Sequence, residues 1–207
     1  MKSSAPHGPP VLECGYAGAA LEGRRSGDVP VHVPFSGGAL LAVIDGLGHG
    51  PEAALAAETA ATTLARHPAD AVAELIVRCH DALRNTRGAL MTLASVDARR
   101  STLTWGGTGD VEGVLLRDRP TEGPSPDVAP TRAGVVGDWI ATLKVREVPL
   151  FHRDLIVLAS DGIRSGFTQS VDRERTPQEI ANRIFERHAR TSDDALVLVA
   201  RYLGDGA

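Results

Sequence analysis

The stretch Ala39–Gly50, ALLAVIDGLGHG, decides the fold that we expect for this chain. Its first half, Ala39–Ile44, is a short apolar run that Asp45-Gly46 ends, which is the pattern of a buried strand followed by a turn. The next segment, Pro51–Arg66, is rich in alanine and begins with a proline, which the first turn of a helix accepts. The sequence therefore predicts a buried strand, a glycine-rich loop and a helix whose small side chains permit close packing against a sheet.

Two more helices are predicted from periodicity and capping. In Ala71–Leu83 the apolar residues form one stripe at helical spacing: Val72, Leu75, Ile76, Cys79 and Leu83. Thr176-Pro177-Gln178-Glu179 is a capping box with proline at the first helical position, and it opens a helix that places Ile180, Ile184 and His188 on one face. We therefore interpret Cys79 as a core residue and His188 as a residue at the edge of the core.

The remaining segments are mostly strand-like. Strands are predicted over Leu90–Val96, Ser101–Trp105, Val111–Leu116, Ala141–Val148, Asp154–Ser160 and Ala195–Tyr202, and a surface loop over Asp118–Gly134. Helices in pairs between runs of strands favour an α+β fold with antiparallel sheets flanked by helices. A doubly wound parallel sheet is the second alternative. At 207 residues the chain fits one domain, and we expect a flexible tail over 1–10 and a single domain over 11–207.

Composition excludes several classes of function. The net charge of -4 provides no basic field for binding nucleic acid. No stretch combines a charged start with a long apolar run, so we expect neither export nor a membrane span. The two cysteines, Cys14 and Cys79, lack CxxC spacing and are interpreted as reduced thiols of a cytoplasmic protein.

Aspartates recur at the ends of apolar strands. Asp45-Gly46 and Asp161-Gly162 each end one, Asp193-Asp194 precedes one, and Asp28 lies near the start of another. Each alone is explained by turn chemistry. Together, carboxylates at one end of a sheet repel one another unless protons or a cation neutralise them, and ligation by oxygen atoms suits Mg²⁺ and Mn²⁺. Gly46 adds a carbonyl that can approach a metal because the residue has no Cβ.

Three strings in this order carry a family resemblance: Val43–Gly50 (VIDGLGHG), Leu158–Ile163 (LASDGI) and Thr191–Leu196 (TSDDAL). Further matching segments are Ser26–Asp28, Arg87–Ala89, Gly107–Glu112 and Gly134–Gly137. The chain resembles the metal-dependent protein phosphatase (PPM) superfamily from about Gly23 to Tyr202. Within it, the chain is most similar to the SpoIIE-like branch and its small stressosome-associated members.

The resemblance implies a four-layer α/β/β/α sandwich of two antiparallel sheets with a helix pair on each outer face. It also implies two divalent cations, Mn²⁺ or Mg²⁺. Asp45 would bridge them and the Gly46 carbonyl would bind one. Asp161 and Asp193 would complete the shell of one ion, and Asp28 would reach the other directly or through water. Asp193, rather than Asp194, matches the ligand position of the family.

The activity that the resemblance implies is hydrolysis of phosphoserine or phosphothreonine on a protein, with Asp45 and Asp161 holding the metal-activated water. The implied partners are phosphorylated STAS-domain proteins of a stressosome-like complex. Arg24, Arg25 and Arg87 are candidates for contacting the substrate phosphate, since arginine has a forked array of donors. For Arg24 and Arg25, solvated surface positions are the alternative.

The chain departs from the family at two positions. Leu47 stands where many relatives outside this branch have a histidine that is assigned the role of general acid. His49 is a substitute for that group, or it fixes the loop before the helix; both interpretations stay open. Asp110 stands where relatives usually have asparagine, and extra negative charge there is unfavourable if the loop faces a phosphoprotein.

Two other functions compete with a phosphatase. A nucleotide-binding loop is disfavoured because the G-x-G-x-x-G spacing from Gly46 ends on Pro51. The stronger alternative is a catalytically quiet docking module of a regulatory complex. The presence of every expected metal ligand argues against it.

Overall fold

A computed structural model describes residues 10–21, 25–119 and 126–204 of the chain. Of the predicted tail, only Pro10 lies within these ranges. Arg24, one of the candidate phosphate ligands, lies outside them. None of the helices in the described ranges is long and apolar enough to cross a membrane.

The strands form two sheets. The first sheet contains, in spatial order, β1 (Leu12–Ala19), β13 (Ala195–Tyr202), β12 (Leu155–Ala159), β6 (Glu112–Leu116) and β7 (Asp127–Val128). The second sheet contains β11 (Arg146–Pro149), β5 (Thr102–Thr108), β4 (Ala89–Asp97), β3 (Gly38–Gly46) and β2 (Asp28–Phe35), with β8 (Thr131–Arg132) beside β5. A two-stranded hairpin, β9 (Gly134–Val135) and β10 (Trp139–Ile140), follows β8. Neighbouring strands run antiparallel, except for the short parallel pair β5 and β8.

Apolar residues separate the structure into four layers. Leu41 and Val43 of the second sheet pack with Ile156 and Leu158 of the first sheet in one cluster, so the two sheets face each other. A second cluster joins the other face of the second sheet to α1 (Pro51–Arg66) and α2 (Val72–Leu83). A third cluster joins the other face of the first sheet to α3 (Pro177–His188) and the short 3-10 helix Phe167–Ser170. This arrangement confirms the predicted α/β/β/α sandwich, with a one-turn helix beside α3 on the second outer face.

The helices follow the sequence signals closely. In α1 the buried face consists mainly of alanines, namely Ala53, Ala54, Ala56, Ala57 and Ala60. Because these side chains are small, the helix backbone lies close to β3. Every residue of the predicted stripe in α2 is buried, including Cys79. At α3 the capping box is present in both directions, since Thr176 Oγ1 accepts from the Glu179 N–H and Glu179 Oε2 accepts from the Thr176 N–H.

Two predicted segments differ from the structure. Only the last part of the predicted strand Ala141–Val148 pairs, as β11, while residues 141–145 join neither sheet. Continuing the β11 register would bring Lys144 opposite Gly107, but Gly107 already pairs with Thr131 of β8. The predicted loop Asp118–Gly134 contains β7 and β8 in its described second half, so it is partly an edge of both sheets.

The sandwich end at the start of β12 is closed by a buried ion pair. Arg117, only 7% exposed, donates to Asp154 Oδ2 at 2.8 Å and to Asp127 Oδ2 at 2.9 Å. Asp154 also accepts the backbone N–H groups of Asp118 and Phe151, both at 3.0 Å. The buried charges at this end are therefore compensated within the protein.

Candidate metal centre

Five aspartates from both sheets meet at the opposite end of the sandwich. The second sheet supplies Asp28 at the start of β2, Asp45 near the end of β3 and Asp110 two residues after β5; the first sheet supplies Asp161 after β12 and Asp193 before β13. These five residues are called the site aspartates below. Because antiparallel strands alternate in direction, the ends of β3, β5 and β12 lie at the same edge as the starts of β2 and β13.

The carboxylate groups lie close enough to share a cation. One ligand oxygen from each of Asp45, Asp110 and Asp161 lies within 4.8 Å of the other two. Asp28 is the cross-strand partner of Asp45 in the β2–β3 pair. Asp193 raises the pKa of Asp28, Asp45 and Asp161 through its charge, so it faces the same group. The structure thus brings together all four aspartates predicted from the sequence and adds Asp110.

Crowding and burial make these carboxyl groups hard to ionise. Burial, followed by the charges of Asp28, Asp161, Asp110 and Asp193, raises the pKa of Asp45 from 3.8 to about 8. Burial also raises the pKa of Asp28 from 3.8 to about 7, against the opposing effect of a hydrogen bond from Ser160. The pKa of Asp161 is raised by burial and by Asp110 and Asp193, and Arg190 opposes this rise. Near neutral pH the group therefore retains protons unless a cation replaces them.

The backbone around Gly46 is packed so tightly that no side chain fits. A Cβ atom on Gly46 would lie 2.1 Å from the carbonyl oxygen of Ala53 in α1. The Gly46 N–H donates to the Gly27 carbonyl at 3.0 Å, and the next N–H, of Leu47, donates to the Gly88 carbonyl at 3.1 Å. The Gly46 carbonyl oxygen lies 3.1 Å from the position that a Cβ on Gly27 would take. This oxygen therefore lies beside Gly27, the residue that precedes Asp28.

The donor set fits hard divalent cations. The close group consists of carboxylate oxygens alone, which is the ligand type that Mg²⁺ and Mn²⁺ prefer. Burial and neighbouring carboxylates raise the pKa values of Asp28 and Asp45, and a cation at this point would favour their ionised forms. Short aspartates on five different segments also fix the donors with little side-chain freedom.

The adjacent residues Asp193 and Asp194 have different surroundings. Asp193 is exposed, and its Oδ1 accepts the N–H of Asp194 at 2.9 Å. Asp194 is 6% exposed, and its two oxygens accept the backbone N–H groups of Leu21 at 2.6 Å and Gly27 at 2.5 Å. The carboxylate of Asp194 is therefore occupied by the backbone of Leu21 and Gly27. Asp193 remains as the candidate metal ligand of the two.

The candidate substrate contacts lie at the rim. Arg87 forms an ion pair with Glu52 in the first turn of α1, and its Nη1 would lie 2.8 Å from a Cβ on Gly48. Arg25 bonds Glu58 at 2.7 Å, so it is tied to the exposed face of α1. His49 is exposed on the loop between β3 and α1 and is not a member of the close group around Asp45.

Asp110 is the site residue whose place the sequence interpretation missed. Its segment, Gly109-Asp110, is positioned by the bond from the Gly109 N–H to the Arg132 carbonyl of β8, 2.9 Å long. The sequence does contain a signal for a role of Asp110 in the site, because this aspartate follows a strand as Asp161 does. From the sequence alone, Asp110 is interpreted only as an unfavourable charge if its loop faces the phosphoprotein substrate.

Known proteins resemble this chain in both sequence and structure. Residues 36–203 match the family described as Stage II sporulation protein E (SpoIIE). A chain from a structure concerning the bacterial stressosome, described as a modular system adapted to control secondary messenger signalling, is 31% identical with a TM-score of 0.84. The match covers 92% of this chain and 99% of that one. The chain belongs to the SpoIIE family of PP2C-like phosphatases.

Two more distant structures share the fold. RsbX in complex with magnesium has a TM-score of 0.81 at 18% identity, covering 92% of this chain and 95% of that chain. The phosphatase domain of SpoIIE from Bacillus subtilis, with a fragment of its regulatory domain, has a TM-score of 0.74 at 20% identity, covering 93% and 63%. Among curated proteins, no sequence matches this chain.

Proposed function

We propose that this protein is a metal-dependent phosphatase that hydrolyses phosphoserine or phosphothreonine on a regulatory partner protein in the cytoplasm. The observation that carries the proposal is the convergence of the site aspartates from both sheets. The whole segment 11–207 would act as one phosphatase domain, since elements from Asp28 to Asp193 contribute to one site.

In this proposal the site aspartates and the Gly46 carbonyl hold two divalent cations, Mn²⁺ or Mg²⁺. Asp45 pairs across the strands with Asp28 and has an oxygen within 4.8 Å of oxygens of Asp110 and Asp161, so it is the residue that would contact both ions. When bound, such ions supply Lewis-acid stabilisation of phosphoryl oxygens and a water of lowered pKa. Asp110 would be a further donor beyond the set that the family resemblance implies.

The other residues of the site orient the substrate. Arg87 lies beside the Gly46–Gly50 loop. If its ion pair with Glu52 breaks when substrate binds, its guanidinium can bind phosphoryl oxygens instead. In the net reaction a water oxygen bonds to phosphorus, the ester P–O bond breaks and the seryl or threonyl oxygen takes a proton. His49, exposed on the same loop, is our candidate for delivering that proton.

The proposed partner is a phosphorylated STAS-domain protein of a stressosome-like complex. Support comes from the 31% identical chain, whose structure concerns the bacterial stressosome, and from the fold shared with RsbX. The site is accessible to a phosphorylated side chain of a folded protein, because Asp110, Asp161 and Asp193 are exposed.

A metal-dependence assay tests the chemistry. Hydrolysis of para-nitrophenyl phosphate should require Mn²⁺ or Mg²⁺ and should fall to background in Asp45→Asn. Asp172→Asn, which removes an aspartate from an exposed pair with Arg175, is the matched control and should keep wild-type activity. Turnover without metal contradicts the proposal.

Intact-mass analysis tests the partner. Purified phospho-STAS proteins should lose 80 Da per phosphate, about the mass of HPO₃, on incubation with the enzyme and Mn²⁺. Processing of an unrelated phosphoprotein alone would refute the stressosome partner and leave the chemistry intact. Absence of turnover on every substrate, with the metal bound, would favour the docking-module alternative.

A further inference from the structure

We propose that Asp194 is a positioning residue for the metal centre, one that acts through the backbone. Its carboxylate binds the backbone N–H groups of Leu21 and Gly27, and through Gly27 it sets the peptide of Gly46, whose carbonyl is a candidate metal ligand. The inference rests on the proposed function and adds to it a residue that binds no cation itself.

Both carboxylate oxygens of Asp194 accept hydrogen bonds from the backbone. They accept the backbone N–H groups of Leu21 at 2.6 Å and Gly27 at 2.5 Å. Bonds from N–H groups to an ionised carboxylate are stronger than those between neutral partners. Because the side chain is 6% exposed, water replaces these bonds poorly when they are lost.

Gly27 is hydrogen-bonded to Gly46 at the candidate metal centre. The Gly27 carbonyl accepts the Gly46 N–H at 3.0 Å, so a shift of Gly27 moves the Gly46 peptide. The space is also limited, since a Cβ on Gly27 would lie 3.1 Å from the Gly46 oxygen and 3.1 Å from the Ala53 Cβ. Asp28 follows directly in the chain, so the same anchor bears on a second candidate ligand.

Asp194 and its neighbour Asp193 have different surroundings and different expected roles. Asp193 is exposed and faces the other site aspartates, whereas Asp194 is buried against the backbone. The two adjacent carboxylates therefore have distinct effects that substitution can separate. Removing Asp193 only relieves repulsion in the metal-free protein. Removing Asp194 also takes away a charge that acts on Asp28, but it deletes two buried backbone hydrogen bonds at the same time.

The test measures Mn²⁺ affinity by calorimetry and metal-free thermal unfolding for Asp194→Asn, Asp193→Asn and wild type. Asparagine keeps one acceptor oxygen and turns an NH₂ group towards the other N–H. We expect Asp194→Asn to lower the metal-free Tm and to weaken Mn²⁺ binding by about 10- to 100-fold, the range seen for residues that orient metal ligands. Asp193→Asn should weaken binding while keeping or raising the metal-free Tm.

A second variant guards against misfolding. Gly27→Ala keeps both bonds to Asp194 but presses on the Gly46 oxygen, so it should weaken Mn²⁺ binding with a smaller loss of Tm. Unchanged Mn²⁺ affinity in both Asp194→Asn and Gly27→Ala would overturn the inference, as would a raised metal-free Tm in Asp194→Asn. If the wild-type protein itself binds no Mn²⁺, the proposed function fails first and the inference with it.

Discussion

The Ser160 hydroxyl donates a 2.6 Å hydrogen bond to Asp28 Oδ2 and so connects the two sheets beside the site aspartates. Ser160 Oγ in turn accepts the Leu196 N–H at 3.0 Å. With one lone pair turned towards Leu196, the hydroxyl proton is directed at Asp28. Ser160 is buried, so the bond is shielded from competing water.

We expect Ser160→Ala to lower the free energy of unfolding by about 1–3 kcal/mol, because it leaves a buried acceptor without its donor. Urea unfolding of the metal-free protein measures this loss. Mn²⁺ affinity should fall as well, since Asp28 loses the group that orients it. Equal stability and equal affinity in the wild type and the variant would contradict the role given to this bond.

The metal-free protein should become less stable as the pH rises. The pKa of Asp45 is about 8 in the folded chain and near 3.8 when exposed, so the folded state holds more protons between these values. Stability is then fully present below about pH 4 and is lost as the pH rises towards 8, by something on the order of 2 kcal/mol after allowance for solvent screening.

Thermal unfolding in EDTA across this range measures the effect. Asp45→Asn removes the titrating group and should flatten the profile. Saturating Mn²⁺ should reverse the slope, because the cation competes with protons for the same oxygens. A metal-free Tm that rises steadily from pH 4 to 8 would show that these carboxyl groups ionise without cost.

Asp110→Asn tests whether the additional carboxylate takes part in the centre. In the metal-free protein the substitution should raise the Tm, because it removes a charge that disfavours ionisation of Asp45 and Asp161. Mn²⁺ affinity should fall by a smaller factor than in Asp45→Asn. Calorimetry at fixed pH measures both variants, and an affinity that rises in Asp110→Asn would mean that the carboxylate only repels.

Thr176→Ala provides a loss of stability far from the site. Removing the N-cap of α3 should cost about 1 kcal/mol while the capping partner Glu179 stays in place. Activity and Mn²⁺ affinity at low temperature should equal those of wild type. If they fall, general instability alone could explain the effects at Ser160 or Asp194.

Much of the fold could be predicted because local signals agree with tertiary packing. The stripe of α2 and the capping box at Thr176 depend on neighbours within a few residues, and both are present in the structure. The strand predicted over Ala141–Val148 failed for a reason that lies elsewhere in the chain. Its alternation is real, but β8 occupies the edge that residues 141–145 would need.

The candidate site, like the fold, could be predicted from the sequence only in part. Asp45 and Asp161 are visible in the sequence because an apolar strand ends at each. The different uses of Asp193 and Asp194 are not visible, since the partners of Asp194 are the N–H groups of Leu21 and Gly27, more than 160 residues away. Local sequence carries no record of such distant contacts.

The ion pair of Arg117 and Asp154 has a consequence for the order in which ligands arrive. It neutralises the charges at one end of the sandwich, whereas the site aspartates place carboxyl groups at the other end, where their field acts on approaching ions. That field attracts cations and repels a phosphorylated protein. We therefore expect the phosphoryl group to bind only after the cations have bound. Until then, the negative charge of the metal-free site disfavours association with a phosphorylated protein.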